Sequence, residues 1–300
     1  MAHAQEAHLV AVQMRMELAT YRTPQTFQER IVSLMQTVRK QVPHGELLAV
    51  FPEDVGLWLI FTQDYERVRT AKTILEAGVR LMERLQINLL STNPPAARQV
   101  LVALSPFVER VYHETFSAVA KQFRSWIVAG SAPIAEGDKV YNSCYTYNPK
   151  GERIAVQRKI NLVELEQEGG LALCPAPREL PVVSTPAGKL GVVVCLDGFY
   201  HELIEHQVKQ GATLIAMPSF NPHPWTKEEA EGWQTGLWSA VQKFPNTVGI
   251  NPMGVGQVFD VLAEGVSSIV AHTSQTPDKS GYLARAKSHD KEELLIYTHK

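Results

Sequence analysis

The sequence has 300 residues, 45% of them apolar, and its 29 basic and 31 acidic side chains leave a formal charge of −2. That is enough material for a sizeable buried core without disulfide or metal staples. No long run of one charge sign is present, which argues against a nucleic-acid backbone or an anionic membrane surface as a partner.

Residues 1–10 carry Glu6 and lack the basic start and apolar run of a leader, so an unprocessed chain is expected. Apolar runs at 8–14 and 46–51 read as strands. Between them Phe27, Ile31, Leu34, Met35 and Val38 recur at helical spacing over 24–41. A long, mainly helical region is predicted over 64–123, interrupted at Asn93-Pro94-Pro95. In it Leu75, Val79, Met82 and Leu85, then Val108, Val111, Phe116 and Val119, keep a period near 3.6. Residues 125–132, 139–147 and 153–160 follow as strands. The turn Asn148-Pro149-Lys150-Gly151 joins the last two and mixes antiparallel pairing into the sheet. Buried strands at 189–195 and 213–218 flank a helix over 200–210 that Gly211 closes. A helix at 233–243 and strands at 247–250 and 293–297 complete the pattern. Buried strands alternating with amphipathic helices mark an α/β protein, and without a repeat or linker residues 1–300 form one domain. No stretch approaches the roughly 18 to 20 apolar residues of a membrane span, so the protein is expected to be soluble.

The three cysteines, Cys144, Cys174 and Cys195, lie far apart with no zinc-type spacing, which suits a reduced cytoplasmic setting and no bound metal. Cys195 ends the apolar strand Gly191-Val192-Val193-Val194 just before Leu196-Asp197-Gly198. A strand, a sharp turn and a helix start would lift the side chain out of the sheet and favour thiolate. Read alone, Cys195 is more readily a small core residue than a nucleophile. Glu53 stands at the carboxyl end of Leu47-Leu48-Ala49-Val50-Phe51-Pro52, the edge where α/β sheets place ligands. Its neighbour Asp54 is an equal candidate on local grounds. Lys159 follows the alternating stretch 153–158, where an ammonium is usually a surface charge unless an acid accompanies it.

Together these segments resemble the nitrilase, or carbon-nitrogen hydrolase, superfamily. LLAVFPED is similar to the stretch bearing that family's catalytic Glu, QRKINLVELE to the one bearing its Lys, and GVVVCLDGFYHEL to the one bearing its Cys, in the same order. HLVAVQM, YNSCYTYNPKG, GATLIAMPSF and VGINPMGVG support the match along nearly the whole chain, and Glu166, seven residues past Lys159, falls where many members carry a supporting Glu. The resemblance implies a four-layer αββα sandwich with mixed sheets, commonly a homodimer, to which the 64–123 region would be a helical insertion. It also implies a Glu53-Lys159-Cys195 triad. Glu53 would be base and acid, Cys195 the nucleophile of a thioester acyl-enzyme, and Lys159 and the Leu196 backbone N–H the oxyanion hole. No cofactor is implied.

Several features bear on the substrate. The stretch Ser239-Ala240-Val241-Gln242-Lys243 departs from the Arg-Ala-x-Glu-Asn pattern of many members, and no arginine occurs between Arg178 and Arg285. Branches acting on carbamoyl amino acids commonly grip a carboxylate with arginines there, so that class is disfavoured. Phe220, Trp225, Trp233, Trp238 and Phe244 make the region aromatic instead; of these Trp225, with Tyr200 upstream, is a candidate pocket residue, and the others read as packing. Tyr112 and His113 are candidates should the 64–123 region cover the site. Leu196-Asp197 in place of the Trp-Glu of true nitrilases favours amides over nitriles. A small amide is therefore the expected substrate. Nitrile hydrolysis, acyl transfer to an amine and an inactive scaffold are the alternatives, and a Cys-His enzyme using His201 or His206 is a more distant one.

Overall fold

A computed structural model describes residues 6–299. Residues 1–5, which belong to the stretch read for a leader, and Lys300 lie outside the described residues. The chain opens with β1 (Ala7–Gln13), the short β2 (Arg15–Glu17) and α1 (Pro24–Gln41). A capping box between Thr23 and Thr26, with proline in the first turn, fixes where α1 begins. β3 (Glu46–Val50) returns beside β1, and α2 (Tyr65–Val68), α3 (Ile74–Leu85) and α4 (Ala96–Phe123) follow. Next come β4 (Trp126–Val128), β5 (Ala132–Glu136), β6 (Lys139–Tyr147) and β7 (Arg153–Arg158). The second half holds β8 (Val182–Thr185), β9 (Gly188–Val192), α5 (His201–Lys209), β10 (Leu214–Ala216), α6 (Lys227–Gln234) and α7 (Leu237–Val241). β11 (Val248–Asn251), β12 (Val255–Val258), β13 (Val261–Ala263), β14 (Ser268–Val270), β15 (Tyr282–Arg285) and β16 (Glu293–His299) complete it.

The strands make two main sheets, ordered β16-β1-β3-β4-β6-β5 with β7 also on β6, and β15-β14-β11-β10-β9-β8; β13, β12 and β2 form a small third one. β1, β3 and β4 run parallel at the centre of the first sheet, and β9, β10 and β11 do so in the second. The layers arise from alternation along each strand. Leu9 and Ala11 of β1 and Leu48 and Val50 of β3 meet Leu190, Val192, Leu214, Ala216, Val248 and Ile250 in one cluster between the sheets. The intervening residues Val10, Val12, Leu47 and Ala49 pack instead against Phe27, Ile31 and Leu34 of α1 and Val108, Val111, Phe116 and Val119 of α4. On the far side, Val193, Ile215 and Met217 pack with Leu203 and Ile204 of α5 and Leu237, Ala240 and Val241 of α7. The order is helix, sheet, sheet, helix.

The structure differs from the sequence reading in several elements. The 64–123 region is three helices, and α4 packs on β5, β6 and α1, so it is the outer layer of the first sheet and not an added cover. The single strand expected over 125–132 breaks at Gly130, with φ 71, into β4 and the start of β5. The strand expected over 189–195 ends at Val192, and the helix expected over 233–243 is split into α6 and α7 by residues 235 and 236. The strands β2, β8, β12, β13, β14 and β15 were not anticipated, being three or four residues long with too few turns of alternation to read. Among the described residues no helix is long and apolar enough to cross a membrane.

Candidate active site

Glu53 stands three residues beyond the end of β3. The loop that carries it is clasped by the β4–β5 connection. Phe51 N–H donates to Val128 O at 2.9 Å, Asp54 N–H to Ser131 Oγ at 3.0 Å and Gly56 N–H to Ser131 O at 2.9 Å. Gly130 is required in this clasp, since a Cβ there would lie 2.0 Å from Pro52 O at a backbone angle that suits glycine. The Tyr112 hydroxyl, buried on α4, donates to Gly130 O at 3.3 Å from below.

Cys195 stands three residues beyond β9, and its φ of +47 places a non-glycine residue in the left-handed region. Such a conformation costs about 1 to 3 kcal/mol and persists because neighbours over-determine it. Here Cys195 N–H donates to Pro218 O at 2.9 Å and Sγ to Phe220 O at 3.7 Å, both in the continuation of β10. The next turn can lie close to that strand only because residue 198 is glycine: a Cβ would fall 2.3 Å from the Met217 sulfur.

Lys159 directly follows β7, and its N–H donates to Asn142 O on β6 at 2.9 Å. The side chain is 1% exposed, and its Nζ lies 2.8 Å from Glu53 Oε1 and 2.7 Å from Glu166 Oε2. Glu166 ends a 3-10 turn, where its Oε2 also accepts Val163 N–H at 3.0 Å. Asn142 bridges the two acids, donating from Nδ2 to Glu53 Oε1 at 2.9 Å and to Glu166 Oε1 at 2.7 Å. The Cys195 thiol lies close enough to the Glu53 carboxyl and the Lys159 ammonium for each to act on its charge. The sequence-predicted Glu53, Lys159, Cys195 and Glu166 thus converge.

Asp197 ties the two halves together. Its buried carboxylate accepts the N–H groups of Ile160 at 3.0 Å and Asn161 at 2.8 Å and the Asn161 side-chain amide at 2.8 Å. The nucleophile turn therefore holds the segment just after Lys159. Asn142 and Asp197 were both missed as site residues. For Asn142 the only signal is a polar residue on a strand that turns out to be buried throughout its last eight positions.

Charge and burial compete here. Burial pushes the Glu53 carboxyl above its ordinary range, Lys159 opposes this and Glu166 adds to it. Burial, then the Glu53 charge, drive the Cys195 thiol well up. This corrects the expectation of a thiolate favoured by a helix start, because the sulfur sits at the head of a five-residue 3-10 turn too short to offset desolvation. For Lys159 burial acts downward, but Glu53, Cys195 and Glu166 together outweigh it and hold the ammonium well above its usual value. Asp54, the local rival of Glu53, is pushed well up by burial and then by Glu53 and Glu166. Burial thus favours the protonated thiol and a more basic Glu53, with a fixed cation beside that carboxyl.

The remaining candidates lie further out. The residue bearing the proposed second oxyanion donor, Leu196, comes directly after the sulfur on the strained turn. Tyr200, 42% exposed, lines a groove of about 900 Å³ with Arg98, Asn161, Leu162 and Cys174. The ring of half-buried Trp225 lies tilted against that of Trp233, centres 6.3 Å apart, and its backbone N–H donates to Glu264 Oε2 at 2.7 Å. Tyr112 is wholly buried against Phe116 and Tyr145, and His113 pairs with the Tyr147 hydroxyl at 3.0 Å. With α4 serving as a sandwich layer, both are packing residues beneath the sheet and not pocket residues. His201 faces Thr235 O and Lys243 Nζ, at 2.8 and 2.9 Å, and His206 is exposed, so neither partners the sulfur. Trp238 stacks on Tyr282 and donates to Ser280 O at 3.1 Å.

The chain is 32% identical over 115 residues to omega-amidase NIT2 of Danio rerio, a match spanning 36% of this chain and 41% of that protein. It thus covers about two fifths of that relative's length. A mutant of the amidase from Nesterenkonia sp. AN1, described as showing covalent addition of the acetamide moiety of fluoroacetamide at the active-site cysteine, superposes with a TM-score of 0.66 at 16% identity over 98% of this chain and 90% of that one. A carbon-nitrogen hydrolase from Helicobacter pylori G27 does so with a TM-score of 0.67 at 19% identity over 99% and 90%. The family model for carbon-nitrogen hydrolases matches residues 11–241, which takes in Glu53, Lys159 and Cys195, and the chain belongs to the carbon-nitrogen hydrolase family.

Proposed function

We propose that the chain is an amidase that hydrolyses a small amide through a thioester on Cys195. The observation that carries this reading is the Lys159 ammonium fixed between Glu53 and Glu166, with Cys195 beside them on a strained turn. Glu53 takes the thiol proton as sulfur adds to the amide carbon, and returns it to the nitrogen as the C–N bond breaks and the amine leaves. Glu53 then takes a proton from water as the oxygen adds to the thioester carbon, and gives it to the sulfur as the C–S bond breaks, freeing the acid and restoring both the thiol and the Glu53 carboxylate. Two of the three Nζ protons of Lys159 are committed to carboxylates, leaving the third for the oxyanion together with the Leu196 N–H. Loss of one such donor typically costs about 3 to 4 kcal/mol in the barrier.

The omega-amidase and amidase descriptions of the relatives support an amide substrate. Cys144, Cys174 and Cys195 are all free, which supports a reducing, cytoplasmic setting, and the family resemblance supports a homodimer. The test is incubation of the purified protein with small amides and nitriles, read by intact mass. An acyl adduct expected with amides, absent in Cys195→Ala, supports the reading; adducts with nitriles alone, or an adduct that survives Cys195→Ala, overturn it.

A further inference from the structure

Glu53 has two oxygens, and the reaction needs one of them at the thiol. Oε1 accepts from Lys159 Nζ at 2.8 Å and from Asn142 Nδ2 at 2.9 Å, which fills both of its lone pairs. Only Oε2 retains capacity. We propose that Asn142 is a positioning residue for the reaction, its amide committing one oxygen of Glu53 to the fixed network so that the other is presented to Cys195.

The orientation of the amide is forced. Nδ2 lies between two carboxylate oxygens, 2.9 Å from Glu53 Oε1 and 2.7 Å from Glu166 Oε1, and a flipped amide would set oxygen against both. Lys159 alone would leave the Glu53 carboxylate free to swing about a single cation, whereas Asn142 adds a second fixed point to it; Glu166 is held by the Val163 N–H as well. The Asn142 backbone is tied into the sheet: it pairs with Pro133 across β5 and β6, and its carbonyl accepts the Lys159 N–H. Asn142 is 2% exposed, and its Oδ1 has no hydrogen-bond partner. An orphaned buried acceptor is costly, and the position carries that cost while its nitrogen serves both acids. Packing alone gives no reason for an amide there.

This proposal rests on the amidase reading, and its test separates the two. Asn142→Ala is compared with the unaltered protein on an amide substrate, with Asn142→Ser in its place should the alanine variant not fold. The expected result is a fall in kcat of about tenfold or more with KM within about threefold. The acid limb of the kcat/KM profile is expected to move up by about one pH unit, because Glu53 has lost a donor that favours its anion. The larger loss is expected for Asn142→Asp at neutral pH, narrowing toward acid as the added carboxyl gains a proton to donate. A lower unfolding midpoint with kcat and the acid limb unchanged would mean a structural role only and overturn the proposal. If the unaltered protein turns over no amide, the amidase reading fails. The positioning role is then read from the pH profile of Cys195 alkylation by iodoacetamide, followed on the Cys195 peptide: a displaced inflection in the variant supports it, and coincident profiles overturn it.

Discussion

The two sheets contribute to the site in the same way and surround it differently. Each ends a parallel strand three residues short of a reactive group, Glu53 after β3 and Cys195 after β9. Glu53 enters a dense polar network of Lys159, Glu166 and Asn142, in which hydrogen bonds fix every ion. Cys195 enters the apolar layer between the sheets, sharing a cluster with Val194, Ala216 and Ile250, and is held by backbone alone. The difference reflects the chemistry each side must keep ready. Charges must be paired before they can be buried, whereas a neutral thiol packs like a small hydrophobe and needs only to be aimed.

If that contrast is right, removing a charge on the first side should do more damage than trimming contacts elsewhere. The largest effect is expected for Glu53→Gln, which keeps the shape and loses the proton acceptor in both halves of the reaction. Turnover should fall by roughly 10⁴-fold, and retention of more than a tenth of the rate would remove Glu53 from its role. Lys159→Met leaves two carboxylates facing each other unpaired, and urea unfolding at pH 7 should show a loss of about 3 to 5 kcal/mol. Adding Glu166→Gln to that variant should recover part of it, and no recovery would break the idea of a paired network. Asp197→Ala strips three hydrogen bonds from the link between the regions, and about 2 to 3 kcal/mol of stability should go with them. It should also lower kcat, since the segment after Lys159 loosens.

A smaller effect concerns pH. The folded state holds the Lys159 proton more tightly than the unfolded chain does, so its contribution to stability is complete below the ordinary lysine value of 10.5. As pH rises past that value the unfolded chain loses the proton first, and stability should fall by about 1.4 kcal/mol per pH unit from this group. Denaturation midpoints between about pH 9 and about pH 11.5 should therefore decline less steeply in Lys159→Met than in the unaltered protein; equal slopes would place the cation outside the network. The smallest effect is expected for Tyr200→Ala on the exposed groove, within about 0.5 kcal/mol in stability.

The parts of this arrangement that were legible in the sequence are those where one segment carries its own signal. β1 and β3 are apolar runs, α1 has a clean period and a capped start, and Glu53, Lys159 and Cys195 each sit in a stretch with a recognisable pattern. Asn142 and Asp197 were not legible, because their work depends on partners 89 and 37 residues away. The role of α4 was misread for a related reason: its length suggested an addition, and only its packing on β5 and β6 shows it to be a layer of the sandwich. The breaks at Gly130 and Cys195 depend on a positive φ that close neighbours impose and composition does not announce.

The depth of the reactive groups, with Glu53, Lys159 and Cys195 only 2%, 1% and 5% exposed, imposes an order of traffic on any acyl-enzyme formed there. Groups set this deep leave little room beside a bound acyl group, so a small nucleophile such as water is expected to reach it ahead of larger ones. A variant that opens the surroundings of Cys195 should hand a larger share of the same intermediate to added amines or hydroxylamine.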